Sequence, residues 1–219
     1  MVTMPSLDGL ISGKTEVKTL TSTEFSPDTY DDGQVKLMDI RDFAKQLAKG
    51  SFVNLEALFS DYVIVDDSFR DFYNVRQEIY ERYLWNYQNA VYGAIHNILN
   101  DYERNSCADD EVKRQSKRMY EVLRLKNLYN QLMNKDNARL KACPEFYIAD
   151  LSERCFIGNV KSGVLDSGQF FDKTKIIEPP TKDEPSVPNW FDVISFANDV
   201  VKKYILYRDF DQNCDKAKE

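Results

Sequence analysis

The chain has a single histidine, His96, and four cysteines, Cys107, Cys143, Cys155 and Cys214, none of them in Cys-x-x-Cys spacing. That excludes the paired-ligand pattern of a structural zinc, and no metal or other cofactor is implied. A lone histidine with no base or nucleophile beside it in sequence founds no catalytic triad, so His96 reads as structural. No stretch approaches the roughly 18 apolar residues of a membrane span, and Met1-Val2-Thr3-Met4 lacks the basic-then-apolar build of a signal peptide. The expected compartment is the cytoplasm, with no membrane partner. Positive charge is in deficit, with a net charge of −7. This argues against nucleic acid coating the whole surface, but a local basic stripe or mimicry of nucleic acid stays open. There is no internal repeat and no low-complexity tract.

What is present is enough for a core: 219 residues, 42% hydrophobic and 13% aromatic, the size of one compact domain with extensions. Residues 5–33 are polar, with turn signals at Pro27-Asp28 and Asp31-Asp32-Gly33, and read as a loop around a short helix. Val35–Ile40 reads as a strand, Arg41–Lys49 and Leu55–Phe59 as helices, and Tyr62–Val65 as a second short strand. Helical periodicity then takes over in Ser68–Tyr83, Trp85–Tyr102 and Asp110–Asn134. Asp66-Asp67-Ser68 and Asp109-Asp110 are placed to cap helix starts. Ser162–Lys182 reads as a long loop, Asn189–Arg208 as a final helix and Asp209–Glu219 as a frayed tail. The expected class is α+β and helix-rich. The segments fall into an α/β part over 1–66, a helical part over 67–160, a loop over 161–188 and a terminal helix with tail over 189–219.

The segment Gln34–Phe59 carries the most specific pattern: a strand running straight into a helix, then Gly50-Ser51-Phe52-Val53-Asn54-Leu55-Glu56-Ala57-Leu58-Phe59. It resembles the predicted nucleotidyltransferases of the DNA polymerase β superfamily in bacteria and large phages, the RNA-ligase-associated type among them. There the corresponding stretch reads Gly-Asn-Pro-Asn-hydrophobic-Leu-Glu-Leu-Leu-Phe. The resemblance runs over about Pro5–Val164 and implies a nucleotidyltransferase-like sheet with an enlarged helical part. Upstream the family carries a Gly-Ser turn and an Asp-x-Asp pair, which this chain lacks. Ser12-Gly13-Lys14 lacks the glycine spacing of a phosphate loop. Gln34 stands where the family's third carboxylate opens the strand. Asp39 points to the opposite face from Gln34, because side chains alternate along a strand. Asp31 and Asp32 lie just before it. Since nucleotidyl transfer needs carboxylates to hold metal ions beside a phosphate cradle, the resemblance implies a remnant without catalytic residues.

A second pattern, Lys117-Arg118-Met119-Tyr120-Glu121-Val122-Leu123-Arg124, is similar to the family's Lys-x-x-Tyr-His-hydrophobic-hydrophobic-Arg, with Glu121 in place of histidine. On a helix, Lys113, Lys117, Tyr120 and Arg124 share one narrow stripe. Three cations flanking a ring suit phosphates and a stacked base, although the same residues also make an ordinary solvated face. The aromatics Tyr80, Tyr83, Trp85, Tyr87 and Tyr92 read as core. Glu56 suits a buried hydrogen-bonding role as well as a catalytic one.

The resemblance therefore implies a catalytically deficient binding protein of phage or mobile-element type. Its partner would be a nucleic acid or ribonucleoprotein, such as a guide RNA or nuclease complex, and its effect inhibition of host defence in the manner of an anti-CRISPR protein. The competing expectation is an active enzyme that transfers NMP to RNA or to a protein hydroxyl, with its missing strand supplied by an upstream segment that a misplaced start leaves out, or by a partner. A sheet lacking the strands before Val35 would expose an edge, so Pro5–Gly33 is expected to fold over it, or a protein partner or homodimer to pair there.

Overall fold

The computed structural model describes residues 1–6, 9, 12, 14, 17–21, 34–60, 63–104, 111–135, 177–182 and 191–216. It is helix-rich and carries a three-stranded mixed sheet, an α+β protein. The chain divides into two units, each assembled from separated stretches: residues 1–49, 64–82 and 186–219 in the first, 50–63 and 83–185 in the second.

The first unit is built on β1 (Val2–Thr3), β2 (Val17–Thr21) and β3 (Gln34–Asp39), in the order β1-β3-β2. β3 is the middle strand. β1 pairs with it in parallel, Val2 opposite Met38, and β2 antiparallel, from Val17 opposite Met38 to Thr21 opposite Gln34. Both edges of β3 are thus covered by the chain itself, one of them by a strand within Pro5–Gly33. Val17-Lys18-Thr19-Leu20-Thr21 lies where a loop around a short helix was expected. Its β-branched residues favour a pleated surface, a signal masked by the segment's overall polarity.

β3 passes into α1 (Ile40–Ala48) without a loop, and Asp39 makes the junction by accepting a hydrogen bond from the Arg41 N–H at 2.8 Å. Ile40, Phe43, Ala44 and Leu47 form the buried stripe of α1, at the spacing of one helix face. A 3-10 turn over Asp67–Phe69, capped by Asp66, leads into α3 (Arg70–Asn74). α6 (Val193–Lys216) begins where Asp192 accepts from the Ser195 N–H at 3.0 Å. Phe72 joins these helices, with ring centroids 6.2 Å from Phe43 and 6.4 Å from Phe196. Buried Val193, Ala197, Val200 and Val201 extend the same core.

The second unit holds α2 (Phe52–Leu58), α5 (Glu111–Met133), most of α4 (Arg76–Arg104) and the extended stretch 177–182. α4 runs unbroken where two helices meeting near Leu84 were expected, because no proline, glycine or capping residue at that point stops it. The break lies instead at Val75. Val63–Val65 forms no strand, and Ile64 is 99% exposed; among the described residues no strand pairs with it. α6 starts later than expected and continues to Lys216, through part of the expected frayed tail. The Asp109-Asp110 cap and nearly all of the 161–188 loop lie outside the described residues. No helix among the described residues is long and apolar enough to cross a membrane.

Gly50, which follows α1, has φ at 89° and lies so close to Asn86 that an added Cβ would stand 2.5 Å from its carbonyl oxygen. Gly50→Ala should therefore lower stability by about 2 kcal/mol or more, combining backbone strain with a contact that no side-chain motion relieves. Chemical denaturation checks this; a change within about 0.5 kcal/mol, as for an ordinary surface substitution, would contradict it.

Candidate nucleic-acid interface

α5 carries all four residues of the expected stripe in its backbone, Lys113, Lys117, Tyr120 and Arg124. The side chains of Lys113, Lys117 and Tyr120 lie outside the described residues. Arg124 is described, and its guanidinium is turned to two carboxylates. Nη1 donates to both oxygens of Glu56 at 2.9 and 3.0 Å, while Nη2 donates to Glu121 Oε1 at 2.9 Å and Nε to Glu121 Oε2 at 3.4 Å. Glu121 comes from the preceding turn of α5, whereas Glu56 comes from α2, 68 positions away in sequence. The side chains of Arg124 and Glu56 are 23% and 14% exposed, so much of the pair is withdrawn from water.

The electrostatics follow from that geometry. Burial pushes the Glu56 carboxyl above its ordinary value, and the Arg124 guanidinium draws it back only in part. Burial likewise disfavours the charged guanidinium, but the hydrogen bonds and negative charges of Glu121 and Glu56 outweigh it and hold Arg124 firmly protonated. Two carboxylates around one guanidinium leave one excess negative charge, so a phosphate approaching Arg124 would have to compete with both. The sequence pattern marked Glu121 only as a replacement for histidine. Its three-residue spacing from Arg124 was the signal that an ion pair forms within the helix.

Other carboxylates of Gln34–Phe59 are also engaged. Asp39, 4% exposed, accepts from Arg41 Nε at 3.1 Å and Nη2 at 2.7 Å in addition to capping α1. Arg41 extends this junction to the Lys14 carbonyl at 3.1 Å. Asp42 pairs with Lys45 at 3.6 Å on the surface of α1. The side chain of Gln34, and Asp31 and Asp32 entirely, lie outside the described residues. Among the described residues, no group of three or more His, Cys, Asp or Glu side chains is placed to hold a metal ion.

The aromatics of α4 divide. Tyr80 and Tyr87 are buried in the core, and burial drives the Tyr87 hydroxyl well above its ordinary pKa. Tyr83, Trp85 and Tyr92 are half-buried. His96 packs against Tyr92, ring centroids 4.4 Å apart, and its Nε2 is buried without a hydrogen-bond partner. Buried Gln88 donates to the Leu132 carbonyl at 3.0 Å, tying α4 to α5. Arg118 pairs with Asp101 beside an open cavity of about 460 Å³ that Asn97 and Asn100 also line.

No family model, no curated protein and no solved structure matches the chain.

Arg124→Ala should cost about 2–3 kcal/mol, because it leaves Glu56 partly buried and unpaired, whereas Glu56→Gln should cost under about 1 kcal/mol. The pH dependence separates burial from pairing. With its folded pKa raised above the ordinary 4.5, Glu56 contributes stability fully below that value and loses it as pH rises through the folded pKa. Glutamine does not titrate, so the stability advantage of the parent over Glu56→Gln should shrink from about pH 4 to pH 7. Denaturation midpoints across that range check this; an advantage that grows with pH would show that attraction to Arg124 outweighs burial.

Proposed function

We propose that the protein is nucleotidyltransferase-like in descent but acts by binding, with a nucleic acid or nucleoprotein as partner and inhibition of a nucleic-acid-based host defence as the effect. One observation carries the non-catalytic side of this reading. Every carboxylate of Gln34–Phe59 is paired with a cation of the chain itself: Asp39 with Arg41, Asp42 with Lys45 and Glu56 with Arg124. Nucleotidyl transfer needs such groups free to hold magnesium beside the triphosphate. Here they support strand, helix and inter-helix joints.

On the binding side, Arg124 anchors α5, so the reading assigns phosphate to the other two cations of the sequence stripe, Lys113 and Lys117, and stacking to Tyr120. Two phosphate contacts give a single-stranded RNA affinity whose logarithm falls with log salt at a slope of roughly −1.4. Lys113→Ala/Lys117→Ala should abolish that slope and weaken all sequences alike, and Tyr120→Ala should cost about 1–3 kcal/mol per stacked base. Filter binding across a salt series decides this. RNA binding by the double variant equal to the parent at every salt concentration would reject the stripe in favour of a protein-directed acidic surface. Micromolar, magnesium-dependent triphosphate binding in calorimetry would restore the transferase reading.

A further inference from the structure

Ile177-Glu178-Pro179-Pro180-Thr181-Lys182 lies on the helical unit as an extended stretch held at both ends. The Tyr129 hydroxyl donates to the Glu178 carbonyl at 2.7 Å, and the Lys182 ammonium stands 5.2 Å from the centroid of the Trp85 ring. Along the stretch, Ile177 and Pro180, three residues apart, are half-buried, while Glu178, Pro179, Thr181 and Lys182 are exposed. A three-residue period is that of a polyproline II helix laid along a surface. Pro179 and Pro180 set their own φ and bias the residue before each towards that conformation, so little entropy is lost on docking.

The surface beneath has matching dimensions. Trp85, Tyr92 and His96 fall within about 40° of one another around α4. Tyr92 meets Tyr129 of α5 with ring centroids 6.1 Å apart. From Trp85 to Tyr92, α4 rises roughly 10 Å, and from Glu178 to Lys182 a polyproline helix rises roughly 12 Å. The two anchors of the stretch therefore span the same length as the aromatic row. A row of rings, a hydroxyl aimed at a backbone carbonyl and a ring that takes a cation are the elements by which proteins read proline-rich peptides.

We infer that the row of Trp85, Tyr92 and Tyr129 is a recognition groove for an extended proline-rich segment of a protein partner, and that Ile177–Lys182 is its resident ligand in cis. The pattern read, counted from the apolar Ile177, is a carbonyl one residue on (Glu178), a proline three residues on (Pro180) and a cation five residues on (Lys182). An intramolecular ligand acts at an effective concentration in the millimolar range, so a partner's peptide must outcompete it. The groove is thus self-occupied until a stronger ligand arrives. The inference is independent of the nucleic-acid reading and of α5's basic stripe.

The test uses the full chain with Trp190→Phe, so that Trp85 is the sole tryptophan, and a synthetic capped peptide Ile-Glu-Pro-Pro-Thr-Lys. Pro179→Gly/Pro180→Gly/Lys182→Ala weakens the hold of the strap, removing its proline stiffness and its cation, and leaves Trp85, Tyr92 and Tyr129 in place. Trp85 fluorescence should then titrate with the peptide at least tenfold more tightly than in the unsubstituted strap, and Tyr129→Phe in the same background should weaken binding about two- to tenfold. A peptide with both prolines replaced by alanine should bind at least fivefold more weakly. If the triple variant loses helix content by circular dichroism, Lys182→Ala alone replaces it, with a two- to threefold gain in peptide affinity expected. No saturable response in a folded variant, equal affinity with and without the strap, or equal binding of the alanine peptide would each overturn the inference.

Discussion

The helical unit turns on one guanidinium. Arg124 is the point at which α2 and α5 are fixed to each other, because its planar fork donates to Glu56 from one nitrogen and to Glu121 from the other two. A lysine could supply the charge but not this geometry. Such a partly buried pair adds little net stability over apolar packing, yet it permits few alternative registers, since a slipped helix would strand a carboxylate away from water. The same arrangement commits Arg124 to its two carboxylates.

An equivalent economy appears at the start of α1. Asp39 closes β3, caps the helix and holds Arg41, which in turn reaches the backbone at Lys14. A carboxylate at the end of a strand beside a helix N-terminus is well placed for metal chemistry in principle. In this chain its oxygens already have donors, and Asp39 has become a structural joint. The two residues that most invited a catalytic reading, Asp39 and Glu56, are thus both explained by what they hold together.

The aromatic content of α4 shows how one helix serves two purposes. Tyr80 and Tyr87 face inward and build core, while Trp85 and Tyr92, on another face, meet Lys182 and Tyr129. Periodicity alone assigns all of these residues to packing. Only the extended stretch lying along Trp85 and Tyr129 distinguishes the row it covers from the rest of the packing.

The sequence by itself determined what depends on near neighbours. The strand-to-helix step at Asp39, the extent of α5, the Asp66 cap and the α+β class all follow from periodicity, capping and propensity within a few residues. Local signals also misled where the outcome required a distant partner. Val17–Thr21 became a strand because β3 was there to pair with it, whereas Val63–Val65 pairs with no strand among the described residues. Glu56 with Arg124, and Tyr129 with Glu178, were decided by tertiary structure alone. Each joins residues dozens of positions apart, and the free energy of such a contact depends on which surfaces have already been brought together and removed from water, which no local pattern encodes.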